Sequence, residues 1–79
     1  MGIVMKFSLE VSADYTIVIR ATKETGEFTN FYIKDLEVVM SFIIKKKEDI
    51  TNISKGLFKA LIANNMLEYN SEDIAFLVC

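Results

Sequence analysis

Apolar and polar residues alternate from Met5 to Ser12, with Met5, Phe7, Leu9 and Val11 on one side and Lys6, Ser8, Glu10 and Ser12 on the other. A period of two is that of a strand with one buried face. Ala13-Asp14 interrupts it, and the period resumes with Tyr15, Ile17, Ile19 and Ala21 against Thr16, Val18 and Arg20. The two segments therefore predict a hairpin. Lys23-Glu24-Thr25-Gly26 reads as a second turn, closed by Gly26, which adopts a left-handed conformation without a Cβ clash. A third strand is expected over residues 27–33, completing an antiparallel meander with one face left to be covered.

Beyond residue 33 the spacing lengthens. Leu36, Val39, Met40, Ile43 and Ile44 recur at i, i+3, i+4, i+7 and i+8, while Glu37, Ser41 and Lys45 hold the opposite stripe. The β-branched and aromatic content of residues 38–44 also fits a strand. Asp35 as an N-cap and Lys45-Lys46-Lys47 at the C-terminal end, where the helix dipole favours cations, decide for a helix. A second helix is expected from Ile50 or Ile53 to Asn64, capped by Asp49 or Asn52, with Ile50, Ile53, Leu57, Ala60 and Leu61 inward. Gly56 within it costs about 1 kcal/mol relative to Ala or marks a close helix contact. Asn64-Asn65 is a C-terminal stop, because Asn tolerates the left-handed conformation.

Residues 66–69 and 74–78 then read as two short strands joined by the polar Asn70-Ser71-Glu72-Asp73 turn. The expected fold is one α+β domain over residues 1–79, in the order βββααββ. A small antiparallel sheet, made of the three-stranded N-terminal meander and a C-terminal hairpin, carries two helices packed on one face. Phe7, Ile17 and Phe31 should share its core.

Composition narrows the chemistry. With 79 residues, 52% hydrophobic and 25% charged, the chain suffices for one core and is not of disordered type. It has no histidine and a single cysteine, which removes zinc sites, histidine-based nucleophile triads and an internal disulfide. Cys79 is expected to be an inert apolar end residue. Gly2, Gly26 and Gly56 are too scattered for a phosphate-binding loop, and the Glu48-Asp49 and Glu72-Asp73 pairs lie in expected turns that water solvates. No catalytic residue, cofactor or metal is expected, and so no enzyme. No signal-peptide, lipidation or membrane-spanning pattern is recognised, and the cytoplasm is the expected location.

Two surfaces remain. Lys45, Lys46, Lys47, Lys55 and Lys59 could meet phosphates, and a helix bearing Lys55 and Lys59 followed by a hairpin resembles, in outline, the recognition helix and wing of a winged-helix DNA-binding regulator. A net charge of −2 opposes that alternative, since phosphate neutralisation needs an excess of Lys and Arg. The other surface is the outer sheet face, where Phe28, Tyr32 and Val18 gather amid polar residues and Arg20. An apolar centre with a polar rim is the anatomy of a protein interface. The expected function is a small non-enzymatic protein-binding module, acting through a sheet face or strand edge on a protein partner or as a homodimer. Eight Lys to one Arg, with ten Ile, point to an AT-rich genome. Such short chains are associated with viruses and mobile elements, where they inhibit or modulate host proteins.

Overall fold

In the computed structural model, which describes residues 3–78 except for the side chain of Met5, seven elements follow one another. They are β1 (Val4–Val11), β2 (Ile17–Lys23), β3 (Phe28–Ile33), α1 (Leu36–Lys45), α2 (Lys55–Ala63), β4 (Leu67–Glu68) and α3 (Ser71–Val78). The strands form one antiparallel sheet in the order β1-β2-β3-β4. The α+β class and the meander match the pattern along the chain. Cys79, Met1 and Gly2, and the inward direction expected of Met5, fall outside the described residues.

Register follows the alternation. Leu9 lies opposite Ile19 and Ile19 opposite Phe31, while Phe7 meets Ala21 and Ile33 meets Leu67. All of these share a face, because residues directly opposite in a ladder point the same way. Ile17 is on that face too, opposite Val11, but at the sheet corner it is only half-buried. A register shift between Val4 and Lys6 is a bulge that sets Val4 opposite Lys23, on the covered face.

Helices close this face with Val39 and Ile43 of α1 and Leu57, Phe58 and Leu61 of α2, all buried against Phe7, Ile19, Phe31 and Leu67. The Phe58 ring is central: it stacks on Phe7 at 4.1 Å and meets Phe31 edge-on at 5.0 Å. Asp35 caps α1 by accepting from the Val38 amide at 3.3 Å. Asn64 ends α2, and Asn65 follows at φ 57°.

Several expectations are corrected. The C-terminal hairpin does not form: only Leu67 and Glu68 pair with β3, and residues 71–78 are helix. Three helices, not two, cover the sheet. The reason is a reciprocal cap, in which the Asn70 side chain accepts from the Asp73 amide at 3.0 Å and the Asp73 carboxylate accepts from the Asn70 amide at 2.9 Å. Asp73 also accepts from the Thr29 hydroxyl at 2.7 Å, and Lys23 Nζ lies 4.1 Å from the Phe76 ring centre, so α3 is tied beneath the covered face.

The second helix starts later than expected, at Lys55. Its cap is Ser54, whose hydroxyl accepts from the Leu57 amide at 3.1 Å, rather than Asp49 or Asn52. Residues 50–53 run instead along the outer edge of β1, where Leu9 donates to the Ile50 carbonyl and Ile53 donates to the Phe7 carbonyl, each at 2.7 Å. Ile53 reaches the core from this extended segment, whereas Ile50 is exposed. Ile44 is exposed as well, because the buried stripe of α1 centres on Val39 and Ile43. Gly56 marks no close contact, since a Cβ there would meet only Ser54 Oγ at 3.9 Å.

Candidate protein-binding face

The face turned away from the helices is built from three rows of cross-strand neighbours. They are Lys6–Thr22–Phe28, Ser8–Arg20–Asn30 and Glu10–Val18–Tyr32–Glu68. Arg20 organises the middle. Its Nε donates to Asn30 Oδ1 at 3.0 Å, and its guanidinium carbon lies 4.2 Å from the Phe28 ring centre. The planar group is thus held across the sheet, stacked on one aromatic and hydrogen-bonded beside it. Within β1, beside it, Ser8 donates to Glu10 Oε2 at 2.8 Å.

Of the four residues assigned to this surface from sequence, Phe28 is 52% and Tyr32 37% exposed, and Arg20 is half-buried. Val18 shares the face yet has 0% exposure and stands outside the core cluster of the opposite face. Its cross-strand neighbours Glu10 and Tyr32 flank it, so it supports the surface without presenting any. Phe28 and Tyr32 are four residues apart on one strand, which puts them about 13 Å from each other on the same face.

Beside these rings β3 has an unpaired edge. Lys23 donates to the Glu27 carbonyl at 2.8 Å, so Glu27, Thr29 and Phe31 direct their backbone groups toward β2. Phe28, Asn30 and Tyr32 direct theirs outward, as does Lys34, whose amide donates to the Met66 carbonyl at 3.1 Å. Since β4 pairs only with Tyr32 and Ile33, it stops short of Phe28 and Asn30. Among the described residues nothing accepts from those two amides. Sequence patterning could not show this edge, because it depends on β4 being two residues long.

The face carries Lys6 and Arg20 against Glu10 and Glu68, two charges of each sign. It is not the cationic platform that single-stranded nucleic acid requires. The lysine set lies elsewhere and is dispersed. Lys45 ends α1, Lys46 caps it, and Lys47 takes φ 56° while its amide donates to the Ile44 carbonyl and that of Glu48 to the Ile43 carbonyl, each at 3.0 Å. These are the bonds of a helix-terminating motif, at the end that attracts cations. Lys55 and Lys59 are exposed on α2, but β4 and α3 follow in place of a hairpin, so the winged-helix outline lacks its wing.

No group of three or more His, Cys, Asp or Glu among the described residues is placed to hold a metal ion, and no helix among them is long and apolar enough to cross a membrane. No protein-family model matches the chain, and no curated protein or solved structure matches it at a significant level.

Proposed function

We propose that this chain is a small protein-binding module that holds an extended segment of its partner along β3. Backbone groups of Phe28 and Asn30 pair with the segment, and the rings of Phe28 and Tyr32 receive its side chains. The observation that carries the reading is a coincidence of place: Phe28 and Tyr32, both exposed, lie on the helix-free face, beside the stretch of β3 that β4 leaves unpaired. Strand addition supplies affinity through main-chain hydrogen bonds and specificity through alternate side chains. Aromatics on a charge-balanced rim are the residues that dominate such interfaces.

The test is affinity capture from source cells with three proteins: wild type, Phe28→Ala/Tyr32→Ala and Lys55→Glu/Lys59→Glu. A partner retained by wild type and by the lysine variant, but lost with the aromatic pair and insensitive to salt, supports the reading. Loss with the lysine variant and a steep salt dependence would instead favour nucleic acid. Sedimentation of the wild type alone covers the homodimer: a concentration-dependent dimer abolished by the aromatic substitutions identifies a second copy as the occupant.

A further inference from the structure

On the covered side of the sheet, the start of β1, α2 and the end of α3 enclose a cleft of about 400 Å³. Val4, Phe7, Phe58 and Leu77 form its apolar walls, and Lys55 and Lys59 stand at its rim. The two lysines are four residues apart and so occupy one face of α2. The volume lies within the range of small-molecule sites, roughly 300–1,000 Å³. Among the described residues no acidic side chain lines the cleft, and the charged side chains that do are those of Lys55 and Lys59.

We propose that this cleft binds a free medium-chain fatty acid. The alkyl chain lies against Phe58 and Leu77, where burial of methylene groups drives binding. The carboxylate remains at the mouth, where Lys55 and Lys59 neutralise it. A neutral apolar ligand would leave both lysines unused, and a cationic one would be repelled by them. This site is separate from the outer sheet face, and either can fail without the other.

Titration of the full chain with decanoate, below its micelle-forming concentration and followed by NMR, tests the assignment. Saturable shifts are expected in the Val4 and Leu77 methyls and the Phe58 ring, with wild-type positions elsewhere. Lys55→Glu/Lys59→Glu should weaken binding by about fivefold or more and reverse the preference between decanoate and decyltrimethylammonium. Val78→Asp, at a rim position that is 80% exposed, should also weaken decanoate without disturbing the fold. Non-saturating shifts, equal affinity for the two head groups, or shifts centred on Phe28 and Tyr32 overturn the proposal. So does co-sedimentation with anionic phosphatidylglycerol vesicles in the absence of decanoate binding, which would make a membrane surface the ligand.

Discussion

Tyr15 and Gly26 hold the same place in successive hairpin turns. Each donates its amide at 2.9 Å to the carbonyl three residues back, on Ser12 and Lys23, and each has a positive φ, 65° and 93°. The turns close alike, with Ser12 donating to Thr16 and Lys23 to Glu27 at 2.8 Å. One turn therefore places a glycine where the backbone needs it, and the other places a bulky residue against its preference. Gly26→Ala should cost about 1 kcal/mol in urea unfolding, all of it from backbone, since a Cβ there meets nothing within 4 Å. Tyr15→Gly should raise stability by about 0.5 kcal/mol, relief of strain exceeding the added freedom of the unfolded chain. Tyr15 is 89% exposed, so little packing is lost.

Helix α3 depends on Asp73. Its carboxylate accepts from both the Asn70 amide and the Thr29 hydroxyl, and no residue of the helix is fully buried. Asp73→Ala should cost about 1–2 kcal/mol and speed amide exchange in residues 71–78 more than elsewhere. Thr29→Val removes only the tie to β3 and should cost less. Equal exchange in all three proteins would show that the cap does not hold the helix.

Why α3 escaped the sequence pattern follows from the same residues. Ile74 to Val78 is a short, nearly continuous apolar run, and such a run fits a buried strand as well as a helix. The deciding signal was local: Asn followed three residues later by Asp can cap reciprocally, yet Asn70-Ser71-Glu72-Asp73 reads equally as a turn. The meander was legible because one-sided burial makes a register slip costly at Phe7, Ile19 and Phe31 together. Asp35 and Asn64-Asn65 were legible because caps are written in single residue types. Of the candidate face, Phe28 and Tyr32 could be read from alternation. The burial of Val18 and the free edge at Asn30 could not, because both depend on neighbouring strands.

Acid should weaken the fold partly through two turn aspartates. Asp14 sits below the ordinary carboxylate value of 3.8 because the Ser12 hydroxyl and Thr16 donate to it. Asp49 is lowered by the Thr51 hydroxyl and then its amide, at 2.7 and 2.9 Å. A depressed folded-state pKa stabilises the fold fully above the unfolded value and loses that contribution as pH falls through the folded one. Asp14→Asn should therefore flatten the decline in urea midpoint below pH 3.8, with the gap between variant and wild type closing as pH drops. A gap that widens on acidification would contradict the assignment.

Core and outer-face aromatics should separate cleanly. Phe58 is buried between Phe7 and Phe31, and Phe58→Ala should cost about 3–5 kcal/mol. That is a large part of the stability of a domain this small. Phe28→Ala loses the stack with Arg20 on an open face and should cost about 1 kcal/mol or less. The variant should stay folded while losing its partner, read by urea unfolding alongside capture.

Residue-resolved hydrogen exchange along β3 bears most directly on the proposed role. In the isolated chain, Thr29 and Phe31 amides should exchange slowly and those of Phe28 and Asn30 nearly as fast as in an unstructured peptide. In the captured complex, Phe28 and Asn30 should become slow. A complex that leaves those two amides fast would place the contact elsewhere and contradict the account.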